Sequence, residues 1–182
     1  MIRTFLAAAA LLFALQAAAD MTANPAPRDG SHDFDFEIGA WKTHLRLLKR
    51  PLAGSTEWVE YEGTSVVRGV LGNRANIVEL DVQAKAGSRI QGASLRLYEP
   101  QAHRWTLNFF NVNDGQLTSP MAGEFRDGTG TFFGPDVFNG KAILVRFVIA
   151  KVTADTYRFE QAFSTDAGRT WEVNWIATDT RS

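Results

Sequence analysis

The chain has 182 residues, with 19 basic and 20 acidic side chains and a formal net charge of −1. This balance offers no basic surface of the kind that binds nucleic acid. Because the chain has no cysteine, disulfides, thiol nucleophiles and thiolate metal sites are excluded, and stability must come from an apolar core rich in Phe and Trp.

The first nineteen residues have the pattern of a secretory signal peptide. Arg3 precedes an apolar run, 5–15, that is too short to span a membrane, and three alanines at 17–19 provide a cleavage site. We therefore expect residues 1–19 to be removed on export to the periplasm or the exterior.

Two further regions follow this signal. Residues 20–31 contain Pro25 and Pro27 and are predicted to form a flexible lead-in. Residues 32–182 have a length that suits one domain, which we predict to be a single β-barrel without a membrane span.

A short segment before the first strand predicts a helical turn. Ser31 is a suitable cap, and the apolar side chains at 34, 36 and 38 could plug one end of the fold. His32, Asp33 and Asp35 are either metal ligands or the polar residues of a solvated turn. We favour the solvated turn and predict no metal site.

Short alternating segments separated by turn residues predict an all-β fold. Asn-Gly and Asp-Gly pairs, which favour tight hairpins, separate several of them, and Gly134-Pro135 is expected to end another. About ten consecutive strands favour an antiparallel up-and-down barrel over a sandwich, because closure removes the sheet edges. The candidate strands are 41–48, 57–70, 75–83, 89–98, 104–112, 119–125, 130–133, 141–152, 156–164 and 170–178.

The last hairpin contains the sequence STDAGRTW at 164–171, which resembles the Asp-box, S-x-D-x-G-x-T-W. Asp166 can accept hydrogen bonds from the turn, and Gly168 can adopt a positive φ. Trp171 can then cover the turn. Sialidases repeat this box on propeller blades, but the chain has one copy and no repeat of blade length, so a structural hairpin is favoured.

Gly39-x-Trp41 at the head of the first strand resembles the lipocalin signature G-x-W. Together with the Asp-box hairpin and the closing Thr180-Arg181, it is similar to an exported bacterial calycin-like family of unknown function. The resemblance implies that Trp41 packs across the barrel floor and that Arg181 covers it. The chain departs from nitrobindin-like barrels, which bind haem through a His near the C-terminus, because its last His is His103. Haem is therefore disfavoured, and we predict no cofactor.

Charged residues in the predicted barrel wall provide candidate ligand-binding residues. Arg146 interrupts an apolar strand, so it must either extend its charged end to solvent or pair with a carboxylate, for which Glu160 on the next strand is the nearest candidate. With Asn174 these could form one polar patch, which is a ligand site, a structural ion pair or an ordinary group of polar surface residues. A second candidate set contains Arg96, Tyr98, Trp105 and Asn108, which ordinary strand alternation also explains.

No catalytic motif is present, which leaves three hypotheses. The first is a barrel that binds a small, largely apolar or amphipathic molecule in its mouth. The second is an isomerase, cyclase or hydrolase that uses the Arg146, Glu160 and Asn174 patch. The third is a filled barrel that acts as an envelope scaffold or interaction protein. An internal cavity favours the first two, and an outward-facing Glu160 argues against the second.

Overall fold

A computed structural model describes residues 29–182; the predicted signal peptide lies outside the described residues. One 3₁₀ turn, Asp35–Glu37, precedes ten strands. The strands are β1 (Gly39–Leu48), β2 (Trp58–Val70), β3 (Ala75–Ala84), β4 (Arg89–Glu99), β5 (Arg104–Asn111), β6 (Met121–Arg126), β7 (Thr129–Phe138), β8 (Lys141–Thr153), β9 (Thr156–Ser164) and β10 (Glu172–Arg181).

The ten strands form one closed antiparallel barrel. Each strand pairs with its neighbours in sequence, and β10 pairs with β1 to close the cylinder. In the closing ladder Trp41 lies opposite Arg181 and Leu47 lies opposite Trp175. The predicted meander barrel is therefore confirmed, including the helical turn before the first strand. None of the helices within residues 29–182 is long and apolar enough to cross a membrane.

The predicted break at Gly134-Pro135 is wrong, because β7 continues through it to Phe138. Phe133 is the last residue of β7 that pairs with β6, whereas pairing with β8 extends to the end of the strand. Pro135 therefore lies where β7 has an open edge towards β6. A proline is tolerated there because no backbone donor is needed on that side.

An aromatic plug closes one end of the barrel. Phe34, fully buried, packs edge-on against Trp105 and Phe125, with ring centroids 4.9 Å apart in each pair. Gly30 anchors the plug, since its N–H donates to the Tyr98 hydroxyl at 3.0 Å and its carbonyl accepts from Trp105 Nε1 at 2.9 Å. The end of the predicted lead-in is thus packed against the barrel.

Trp41 forms the boundary between this plug and the barrel interior. Its indole nitrogen donates to the carbonyl of Glu37 at 2.7 Å. The Arg181 guanidinium lies over the ring, 4.1 Å from its centroid, and also donates to the carbonyls of Phe36 and Ile38. The first and last strands and the plug are therefore joined at one point.

The wall is incomplete at the opposite end, between β5 and β7. The β5–β6 ladder has only three residue pairs, from Trp105 to Leu107. The segment 112–120 then crosses the wall irregularly, with a bridge between Phe110 and Leu117. We call this segment, together with the open edge of β7, the side opening.

Candidate functional site

The barrel encloses a cavity of about 200 Å³. Its wall is mainly apolar, because the inward positions of successive strands carry Leu, Val, Ile, Phe and Trp. Exposed residues of the side opening, Thr118, Pro135 and Asp136, also line the cavity and mark its mouth. Apolar lining residues include Leu45, Leu80, Leu107, Phe147, Ile149, Phe159 and Trp175.

The cavity floor carries a buried carboxyl, that of Asp179 on β10. Its Oδ1 accepts hydrogen bonds from the hydroxyls of Thr43 at 2.5 Å and Ser65 at 2.7 Å. Burial raises the pKa of Asp179, while the hydrogen bonds from Thr43 and Ser65, the nearby Tyr157 hydroxyl and the charge of Arg96 act in the opposite direction. β1, β2 and β10 are adjacent in the barrel, which places these three side chains together.

Tyr157 on β9 completes this polar floor. Its hydroxyl lies 3.5 Å from Ser65 Oγ, and its ring packs edge-on against Trp41 with centroids 4.8 Å apart. Burial, followed by the negative charges of Glu37 and Asp179, raises the pKa of Tyr157 well above its usual value. The phenol is therefore neutral at physiological pH and can donate or accept one hydrogen bond.

A buried ion pair links the floor to the plug. Arg96, which lines the cavity, donates from Nη1 to Glu37 Oε2 at 2.7 Å, and its guanidinium lies 4.2 Å from the centre of the Phe34 ring. Burial raises the pKa of Glu37, although Arg96 opposes this shift. Within the described residues, Glu37 Oε1 and Arg96 Nε have no hydrogen-bond partner.

The floor therefore contains one buried cation and two buried carboxyls. Arg96 is engaged by Glu37, whereas Asp179 is held by neutral hydroxyls. This arrangement can orient the polar group of a ligand whose remaining atoms contact the apolar wall. Within residues 29–182, no three His, Cys, Asp or Glu side chains are grouped so that they could hold a metal ion.

The patch proposed from the sequence lies on the outer face of the barrel. Val145 and Phe147 line the cavity, and so do the neighbours of Glu160 on β9; strand alternation therefore points Arg146 and Glu160 outwards. Arg146 is 3.7 Å from Glu160, and its guanidinium lies 4.7 Å from the centre of the Trp171 ring. Geometry excludes Glu160 from acid–base chemistry on a ligand in the cavity.

Asn174 does not form one polar patch with Arg146 and Glu160, contrary to the prediction from the sequence. Asn174 is buried beside an irregularity in the β9–β10 ladder, and its Oδ1 accepts from Gln161 Nε2 at 2.7 Å. Gln161 lines the cavity, but Asn174 does not. Asn174 therefore holds a residue of the cavity lining without lining the cavity itself.

The second predicted set is divided between three places. Arg96 lines the cavity, whereas Tyr98 and Trp105 hold Gly30 in the plug. Asn108 points outwards and donates to the carbonyl of Thr118 at 3.2 Å. Of the seven ligand-binding candidates, all within the described residues, the cavity is lined by Arg96 alone.

Sequence reasoning missed Asp179, Thr43, Ser65 and Tyr157. The available signal was the two-residue period: if Trp41 and Arg181 meet at the barrel floor, Thr43 and Asp179 share their inward faces. Ser65 lies opposite Trp41 in the β1–β2 ladder. Ser65 and Tyr157 required the strand register, which composition alone does not provide.

The β9–β10 turn is held by its own side chains. Asp166 accepts from the Thr170 N–H at 2.9 Å and from the Thr170 hydroxyl at 2.7 Å, and Ser164 donates to it at 2.8 Å. These bonds lower the pKa of Asp166. Gly168 has a φ of +86° and Trp171 packs beside it. This turn lies on the outer face, away from the cavity lining.

Solved structures share this architecture at low sequence identity. An S-type phycobiliprotein lyase, CPES, from Guillardia theta has a TM-score of 0.60 at 12% identity, covering 86% of this chain and 94% of that one. Rv2717c from M. tuberculosis has a TM-score of 0.57 at 13% identity, with 85% and 98% covered. No protein-family profile matches the chain, and no curated protein does. These likenesses establish the fold alone, that of a closed antiparallel barrel.

Proposed function

We propose that this barrel binds a small, largely apolar molecule in its cavity. The observation that carries the proposal is the combination of an apolar wall with a small polar floor inside a closed barrel. An apolar cavity of about 150 Å³ can hold benzene. The cavity here, about 200 Å³, suits one substituted ring or a short chain.

The side opening provides the route of entry. The three-pair β5–β6 ladder and the irregular segment 112–120 interrupt the wall beside the cavity. A ligand entering there would pass Thr118 and Asp136 before its leading end reached Asp179. The apolar body would then rest against the wall while the polar end reached the floor.

The alternative functions receive less support. An enzyme based on Arg146, Glu160 and Asn174 would need these groups at the ligand, and Arg146 and Glu160 face the opposite side of the wall. A filled scaffold barrel would have no space for a small molecule, in contrast to the cavity observed. The cavity therefore favours ligand binding over both alternatives.

We further propose that binding takes place after export, in the periplasm or outside the cell. The pattern at residues 1–19 supports this location. Cell fractionation with N-terminal sequencing of the purified protein tests it. A mature protein starting at Asp20 would agree with the proposal, and intact protein retained in the cytoplasm would refute it.

Native mass spectrometry of protein purified from its own cells tests ligand binding directly. We expect a retained small molecule that is absent from a Ser94→Phe variant, because Ser94 lines the cavity. Leu95→Phe is the matched control, since Leu95 is the next residue and is 43% exposed. Equal retention by both variants would place the ligand outside the cavity, and no retained or added ligand would refute the proposal.

A further inference from the structure

The charges at the cavity floor indicate which polar group a ligand would carry. Arg96 provides the cation of the floor, and Glu37 lies 2.7 Å from it in a buried ion pair. Asp179 forms no ion pair within the described residues. With both carboxyls ionised, these three side chains have a net charge of −1. The excess charge belongs to the carboxyl that lines the cavity.

Asp179 also retains the capacity to accept another hydrogen bond. Thr43 and Ser65 both donate to the same oxygen, Oδ1. A carboxylate has about four acceptor positions on its two oxygens. A ligand donor that reached Asp179 would therefore add a bond without displacing the two hydroxyls.

The burial of Asp179 strengthens the hydrogen bond that a ligand donor would make to it. Asp179 is 3% exposed, and neutral hydroxyls compensate a buried charge less well than a cation does. A positively charged ligand group would bring the floor to neutrality. An anionic group would raise its charge to −2 and would find Arg96 already paired with Glu37.

We propose that the cavity selects ligands in which a small apolar body carries a protonated or N–H-bearing nitrogen that docks on Asp179, and that it discriminates against carboxylates. This inference rests on the proposed ligand-binding function and specifies its substrate class.

Three probes with the same ring test this selectivity in the unaltered protein: benzylamine, benzyl alcohol and benzoate. Titration by NMR or calorimetry at pH 7 should rank their affinities in that order, with benzylamine at least about tenfold tighter than benzoate, equivalent to about 1.4 kcal/mol. If benzyl alcohol binds but benzylamine binds no tighter than benzoate, the selectivity is refuted and the proposed function stands. If none of the three binds, the proposed function fails with it.

Substitution of Asp179 tests whether its carboxyl causes the preference for benzylamine. Asp179→Asn should abolish the preference for benzylamine while leaving benzyl alcohol binding within about twofold, because the amide retains an acceptor for the two hydroxyls. Glu160→Gln, on the outer wall, is the matched control and should leave the ranking unchanged. If Asp179→Asn does not fold, Thr43→Val serves instead: with one hydroxyl donor fewer at Asp179, benzylamine should bind more tightly. Unchanged benzylamine affinity in the variant that folds would overturn the assignment.

Discussion

Removal of Arg96 is the most direct test of how the floor is stabilised. We predict that Arg96→Met destabilises the protein strongly, because it leaves the fully buried Glu37 carboxylate without its partner. Breaking a buried ion pair from one side costs about 3–5 kcal/mol. Methionine retains an apolar contact with Phe34, so the loss reports mainly on charge.

The loss of unfolding free energy caused by Arg96→Met should depend on pH through the protonation of Glu37. The pKa of Glu37 is raised in the folded protein, so the fold binds a proton more readily than the unfolded chain does. A raised carboxyl pKa means that stability increases as the pH falls towards the unfolded-state value. Without Arg96 the pKa rises further, so the loss caused by Arg96→Met should be smaller at pH 5 than at pH 7.

Urea unfolding followed by tryptophan fluorescence measures these differences. A loss of about 3–5 kcal/mol, with stability falling by about 1–3 kcal/mol per molar urea, should lower the unfolding midpoint at pH 7 by roughly 1–5 M. Adding Glu37→Gln to Arg96→Met should recover part of this loss, since it removes the unpaired charge. The exposed Arg104, 3.1 Å from Glu99, provides the control: Arg104→Met should cost at most about 1 kcal/mol. An equal loss from Arg96→Met at both pH values, with no recovery in the double variant, would refute the reasoning.

Three further predictions concern other parts of the barrel. Trp41→Ala should cost about 3–5 kcal/mol in urea unfolding, because it removes a fully buried ring that contacts Tyr157 and Arg181; a loss below about 1 kcal/mol would contradict its packing role. Asp166 has a lowered pKa, so its stabilising effect is present above the unfolded-state value of 3.8 and is lost as the pH falls below it; Asp166→Asn should therefore weaken the protein at pH 7 more than at pH 3, in thermal melts. Glu160→Gln should change stability by no more than about 1 kcal/mol, as expected for a partly exposed ion pair; a larger loss would show a more important role for the outer patch.

Much of the fold could be predicted because strand and turn signals are local. Alternating residues and Asn-Gly or Asp-Gly pairs gave ten strands, and most of their bounds agree closely with the structure. β7 was predicted too short, because the tolerance of Pro135 depends on where its neighbour β6 ends. That information is tertiary and is not carried by the dipeptide itself.

The site was harder to predict, because strand alternation gives two faces without stating which one is inside. Arg146 attracted attention as a charge in an apolar strand, yet it lies on the outer face, where Glu160 and Trp171 accommodate it. Asp179 was not predicted as a site residue, since an acidic residue near the end of a strand is usually exposed to solvent. The ladder that joins β1 to β10 places it opposite Thr43 at the floor, as the two-residue period from Trp41 and Arg181 would have indicated.

That ladder also determines when the polar floor of the cavity can form. Thr43 belongs to the first strand of the barrel and Asp179 to the last, so the acceptor site is assembled only when the cylinder closes. A partly folded chain that still lacks β10 has no floor and can retain no ligand there. A ligand that binds only the closed barrel stabilises it by mass action. Occupancy of the cavity would therefore favour the barrel with β10 paired and would protect β10 from proteolysis.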